Sequence, residues 1–414
     1  MCYNNLYRIG LYSLPWRNLS WTGVQYPRPQ GGIGKAHLCA VGGEKGGFER
    51  SSFELSESSE RMVITMKRKK IIVVLSALLA LIVVFLVLFW VLYGRHALRY
   101  ECTNYGMGTY IQQTVYGKNR ETAAADAAKS IGELENLISW RIEDSDVAKL
   151  NDTAGTDWTE IDARTLSVLK TSLDVAQKSG GAFDPTILPI TSLWDFGGDN
   201  QHVPSEEEIE KFLPYVNYQN LRLDESASTA SLKDHFTAID LGGIGKGAAC
   251  DAAVEAYRKA GAGSAVIAVG GSIGVYGTKA DRTPWHIAVR DPQSSDENAA
   301  AMGQIDLTEG FVSTSGTYEK QFTENGVPYH HLLNPKTGYP ENNGLVSVTV
   351  TAKNGALSDA LSTACFILGI EKGEALLQEY GAGGIFIDNS GKVYVTDSLK
   401  NSFKITDNQY VLAQ

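Results

Sequence analysis

Only 5 of the 414 residues are cysteine, and they are scattered: Cys2, Cys39, Cys102, Cys250 and Cys365. That spread excludes a disulfide framework and a thiolate metal centre, which both need closely or regularly spaced thiols. Cys250 and Cys365 fall in apolar helical runs and read as buried thiols rather than nucleophiles. Positive charge is also short, with 37 Lys and Arg against 47 Asp and Glu for a net charge of −10. Nucleic acid is therefore excluded as a partner, because phosphate-backbone binding needs a basic stripe. His330 and His331 lack a third ligand, which argues against zinc. Long uncharged apolar runs are missing too, with one exception.

That exception is Ile71–Tyr93, about 23 residues, long enough to cross a bilayer core. Lys67-Arg68-Lys69-Lys70 precedes it, so the N-terminus is expected in the cytoplasm and everything after Gly94 outside. An uncleaved signal-anchor fits better than a cleaved signal peptide, whose apolar region is shorter. Met66-Lys67-Arg68 is an ordinary start for an exported protein, and the expectation is that Met1–Thr65 is an upstream extension with no assignable fold. The chain thus has three parts: 1–65 unassigned, 66–94 basic cluster and membrane anchor, and 95–414 an extracytoplasmic domain held at the cell membrane.

The exported part alternates helical and strand signals. Helices are expected at about Glu121–Ser139, over Thr159–Ser179, and from the Ser205 cap with its following acids. Short strands are expected at Tyr110–Tyr116, Ser264–Val269, Trp285–Val289, Met302–Leu307 and Gly310–Ser313, with a short helix from Thr314 through Phe322 and a turn at Asn325-Gly326. Brief connections suit antiparallel pairing. The fold class is thus mixed α+β, with largely antiparallel sheets flanked by helices and one transmembrane helix in front.

Ala238–Asp251, reading AIDLGGIGKGAACD, stands at the centre of this domain. A short strand, Ala238–Leu241, is expected to run through Gly242, Gly243 and Gly245 into a helix opening at about Lys246. Unpaired amides at such a junction favour an anion, and Lys246 adds charge. A plain strand-to-helix turn with a solvated lysine explains the string equally well. Further on, Asp359 and Thr363 lie four residues apart, which puts a carboxylate and a hydroxyl on one helical face. Oxygen ligands of this kind suit a hard cation, although the spacing also arises in helices without a metal.

Taken with Gly180–Gly197, Val269–Gly277, Ser313–Lys320, His330–Pro340 and Ser358–Gly369, the central string resembles the ApbE family of FAD:protein FMN transferases. Six strings recur in the family's order from about Gly106 to the end. The resemblance implies an ApbE-like fold and a set of roles. Met107 would border the flavin and Trp140 would stack on the isoalloxazine. Ala182, Phe183, Asp184, Asp240 and Leu332 would contact the nucleotide. Asp359, Thr363 and the Gly243 carbonyl would hold magnesium, while Lys246 would stabilise phosphate charge and His331 would serve as base near neutrality. Adjacent strand residues face opposite ways, so His330 and His331 cannot both enter one site.

The reaction implied moves FMN from FAD to a threonine hydroxyl of an exported acceptor protein and releases AMP. Two alternatives share the same residues: a metal-dependent FAD pyrophosphatase and a non-catalytic FAD-binding surface protein.

Overall fold

The computed structural model describes residues 50–93, 98–279, 281–294 and 300–413. Most of the Met1–Thr65 extension and the Gly94 boundary lie outside these residues. The chain divides into two compact units, one containing the first helix and the other the residues C-terminal to it. Helix α1 (Arg50–Tyr93) starts upstream of the apolar run, because no glycine or proline interrupts Arg50–Lys70. Its segment Arg61–Trp90 is long and apolar enough to cross a membrane, with its large apolar side chains exposed.

The second unit opens with the hairpin β1 (Arg99–Gly106) and β2 (Thr109–Tyr116), followed by α2 (Arg120–Ile138) and α3 (Asp146–Asp152). The expected helix over Thr159–Ser179 divides into β3 (Thr159–Glu160) and α4 (Ala163–Lys178). Asp162 makes the break: its carboxylate accepts the Arg164 amide at 2.8 Å and caps α4. Then come α5 (Leu188–Trp194) and α6 (Glu206–Phe212), the latter begun by a Ser205/Glu208 capping box. β4 (Leu221–Asp224), β5 (Thr229–Leu232) and α7 (Gly242–Ala260) lead to β6 (Ser264–Val269), β7 (Ser272–Tyr276), β8 (Trp285–Arg290), β9 (Ala301–Leu307) and β10 (Gly310–Gly316). The chain closes with β11 (Gln321–Glu324), β12 (Val327–His330), β13 (Leu345–Ala352), α8 (Gly355–Leu368), α9 (Ile370–Tyr380), β14 (Gly383–Asp388), β15 (Lys392–Val395), β16 (Phe403–Ile405) and β17 (Val411–Leu412).

Among the described residues nine strands form one sheet in the order β1-β2-β6-β7-β10-β13-β14-β15-β17. Every pairing in it is antiparallel except β15 with β17. Strand alternation sends side chains to two separate cores. In β14, Phe386 joins the core that includes α4 and α8 residues, whereas Ile385 and Ile387 join Trp285, Ile305 and Phe403 of the β16-β9-β8 sheet. One face of the main sheet thus carries helices and the other a small sheet.

Two expectations fail here. Thr314–Phe322 is not a helix: β10 continues to Gly316, pairing with β13, and the chain then enters the β11–β12 hairpin. Ala238–Leu241 is not a strand beyond one bridge from Ala238 to Ile187. Asn151 takes the place of a neighbouring strand, since its side chain accepts the Ile239 amide at 2.7 Å and donates to the Ile239 carbonyl at 3.1 Å.

Candidate active site

The glycines of the central string form the first turn of α7 instead of a loop before it, because the helix opens at Gly242 and not at Lys246. Three of its early amides are already engaged: Gly242 donates to Asp240 Oδ1 at 2.9 Å, and Ile244 and Gly245 donate to the Leu241 carbonyl at 3.2 and 2.8 Å. Asp240 therefore places an internal carboxylate at the positive end of the helix, where an external anion was expected. Thr191 Oγ1 fixes its other oxygen at 3.2 Å.

Lys246 lies one turn into α7, where the helix crosses α8. Its Nζ is 3.9 Å from Asp359 Oδ1 and 3.4 Å from the Gly242 carbonyl. Asp359 is only 2 % exposed, and its Oδ2 accepts the Gly247 amide at 2.9 Å. The adjacent Asp359 carboxylate holds the Lys246 ammonium above the ordinary lysine value, more than offsetting burial. One turn past Asp359, Thr363 Oγ1 stands 3.3 Å from Ser315 Oγ, which also meets Ser362 Oγ at 2.7 Å. Gly243 faces this group: a Cβ there would lie 3.4 Å from Thr363 Oγ1 and 3.2 Å from the Phe183 ring. A Cβ on Gly245 would lie 3.2 Å from Met107 Cε. Met107 itself sits in a tight turn at φ 55° and donates its amide to Glu135. Asp240, Gly243, Lys246, Asp359, Thr363, Phe183 and Met107, distant in sequence, therefore gather around the first turns of α7.

The hairpin brings the remaining charge. His331 donates its amide to the Lys320 carbonyl at 3.0 Å, and its ring Nδ1 is 3.3 Å from the same oxygen. A carbonyl only accepts, so Nδ1 carries the proton and Nε2 is left as the basic nitrogen. His330 is otherwise committed. Its Nε2 meets the Glu341 carbonyl at 3.1 Å, its Nδ1 accepts the Leu332 amide at 3.3 Å, and its ring lies edge-on to Phe366. Burial, followed by repulsion from Lys246 and Lys320, pushes His331 down to about 3, so the expectation that it titrates near neutrality is corrected. Burial likewise lowers Lys320, with repulsion from Lys246 and Arg141 adding to it, and raises the Glu319 carboxyl.

Sequence reading missed Arg141, Glu319 and Lys320 as members of this charged cluster. Glu319 and Lys320 were inside a recognised string, but a helix over Thr314–Phe322 would have scattered their side chains. Ala182 and Leu332 are each 4 % exposed and belong to the hydrophobic core, so any contact they offer a ligand is through the backbone. Asp184, expected at the ligand, spends its carboxylate on the fold. It accepts from the Thr186 amide at 2.8 Å, the Thr186 hydroxyl at 2.6 Å and the Tyr218 amide at 2.9 Å. Trp140 packs at the edge of the core with the Arg141 guanidinium 4.0 Å above its ring, and its buried indole N–H has no partner among the described residues.

An antiparallel sheet backed by two crossing helices, with a buried acid and a lysine at the crossing and a histidine close enough to feel the lysine's charge, defines a protein of the α+β class. The chain belongs to the ApbE family, which it matches over residues 107–386. A protein from Treponema pallidum named FAD:protein FMN transferase is 31 % identical over 338 residues, covering 77 % of this chain and 93 % of its own. Among solved structures, an ApbE protein from Thermotoga maritima has a TM-score of 0.68 at 33 % identity, covering 74 % of this chain and 99 % of its own. The flavin transferase ApbE from Vibrio cholerae has a TM-score of 0.66 at 26 % identity, with the same coverage. These likenesses bear out both the family read from the six strings and the mixed, mostly antiparallel fold.

Proposed function

We propose that this chain is an FAD:protein FMN transferase that moves FMN onto a threonine hydroxyl of an acceptor protein and releases AMP. The observation that carries the reading is the α7–α8 crossing, which sets Lys246 against the buried Asp359, while His331 Nε2 has no hydrogen-bond partner among the described residues. In the transfer, the threonine oxygen bonds to the FMN phosphorus, the pyrophosphate P–O bond to AMP breaks, and AMP leaves with the bridging oxygen. His331 Nε2 receives the hydroxyl proton, its basicity raised once the negative charge of the bound pyrophosphate offsets the repulsion from Lys246 and Lys320, and the Lys246 ammonium offsets charge growing on the phosphates.

Magnesium fits the oxygen donors present. Among the described residues Asp359 Oδ1 has only the Lys246 ammonium beside it, at 3.9 Å and beyond hydrogen-bond reach, Thr363 Oγ1 is one turn away, and a side chain on Gly243 would fill the space beside them. Asp359, Thr363 and the Gly243 carbonyl would hold it, and bound there it would neutralise pyrophosphate charge. The unpartnered Trp140 N–H and its ring suit a flat polar heterocycle such as the flavin. The apolar helix would anchor the enzyme in the cell membrane with the catalytic unit outside.

Full-length protein given FAD, magnesium and a flavin-acceptor domain should leave FMN covalently on one acceptor threonine and yield AMP, both read by mass spectrometry. Free FMN and AMP with an unmodified acceptor would replace this reading by the pyrophosphatase. Intact FAD would replace it by a binding protein.

A further inference from the structure

Among the described residues the β11–β12 hairpin is a two-stranded sheet joined to no other strand. Its hydrogen-bonding phase is fixed by one bond. His331 donates to the Lys320 carbonyl, so Lys320/His331 is a bonded pair, and alternation makes Phe322/Tyr329 and Glu324/Val327 bonded pairs as well. The two-residue Asn325-Gly326 turn, at φ 50° and 79°, closes on Glu324/Val327 as that phase requires. The backbone groups of Gln321 and Thr323 on β11, and of Pro328 and His330 on β12, therefore point outward.

The two outer edges differ. Pro328 has no N–H, and a proline on an edge strand obstructs further pairing. On the β11 side, Gln321 and Thr323 are exposed, and among the described residues neither amide has a partner outside the hairpin. The edge is also held in place. Phe322 and Tyr329 pack on the fully buried Trp194 with ring centroids 6.3 and 5.5 Å away, and Trp194 Nε1 donates to the Gly338 carbonyl at 2.8 Å. A fixed edge loses little entropy when a strand adds to it. It runs straight into Lys320, whose cross-strand partner is His331.

We propose that the acceptor polypeptide binds as an added β-strand along the outer edge of β11, which delivers its hydroxyl residue to the Lys320/His331 end of the hairpin. This rests on the transferase reading and adds to it how the acceptor is recognised. Main-chain pairing gives affinity with little demand on sequence, and the distance from Thr323 to Lys320, about 10 Å at the usual strand rise, is three residues of acceptor.

Thr323→Pro removes an outward N–H without touching the ladder to β12. In the full-length enzyme it should raise KM for the acceptor domain about fivefold to tenfold, the worth of about one backbone hydrogen bond, and leave FAD affinity unchanged in a fluorescence titration. Thr323→Ala keeps the N–H and should behave as the unmodified enzyme. In the unmodified enzyme, acceptor addition should slow amide exchange across Gln321–Glu324, and this measurement decides alone if Thr323→Pro alters FAD affinity. An unchanged KM in Thr323→Pro, or unchanged exchange at a saturating acceptor, would overturn the docking proposal while transfer itself continued. Failure of the unmodified enzyme to transfer FMN would instead strike the functional reading.

Discussion

Gly247 and Gly355 meet backbone to backbone where α7 crosses α8. A Cβ on Gly247 would lie 2.0 Å from the Gly355 carbonyl oxygen and 2.7 Å from Asp359 Cβ, and one on Gly355 would lie 2.1 Å from the Gly247 carbonyl oxygen. The crossing is further tied by Asp251 of α7, which accepts the Gly355 and Ala356 amides at 2.7 and 2.8 Å and so caps α8. This close approach is what puts Lys246 beside Asp359.

Gly247→Ala should therefore be harmful despite the better helix propensity of alanine. The obstacle is backbone, which no rotamer change relieves, and overpacking of this kind costs about 1–3 kcal/mol against a propensity gain of about 1 kcal/mol. A lowered urea midpoint is expected, together with slower transfer because Lys246 and Asp359 move apart. A variant as stable and active as the parent would refute the role given to this contact.

Asp359→Ala should lower kcat by about a hundredfold or more, the scale seen when one charge-stabilising group is removed. Thr363→Ala removes a neutral ligand and should do less, with partial recovery at raised magnesium. Both should fold, as judged by circular dichroism. Full activity in Asp359→Ala would show that the pair is only a feature of the helix.

His331 has its ordinary value in the unfolded chain and is pushed down to about 3 in the folded one. Below about pH 6.5 the unfolded state takes up the extra proton, so the contribution of the neutral ring is complete above that pH and is lost progressively as pH falls toward 3. Relative to His331→Gln, the parent should lose stability more steeply over this window in denaturant titrations. The same shift predicts that kcat/KM has no inflection near 6.5 due to this residue. An inflection there that vanishes in His331→Gln would contradict it.

With Lys67–Lys70 held inside, protease added to intact cells should digest the catalytic unit and spare the segment before α1's apolar run. Protection of the catalytic unit would reverse the proposed orientation.

Where local chemistry decides structure, the sequence was sufficient. The apolar run Ser264–Val269, stopped by Gly270-Gly271, defined β6, the apolar stripe of α2 placed that helix within one residue at each end, and Ser205 with Glu208 and Asn325-Gly326 marked a cap and a turn that the fold keeps. The six strings identified the family, because their order records a fold even where single residues do not. Tertiary structure decided what depended on remote partners. Ala238–Leu241 has strand-like composition, yet it is held by Asn151, 88 residues from the Ile239 groups it bonds. Thr314–Gly316 remains a strand because β13 lies alongside it. Asp184 looks like a ligand residue in sequence, but burial gives it Thr186 and Tyr218 to satisfy. The acidity of His331, the partnership of Lys246 with Asp359 and the open edge of β11 all arise from desolvation, helix crossing and strand phase. Those are properties of neighbours in space, which spacing along the chain does not encode.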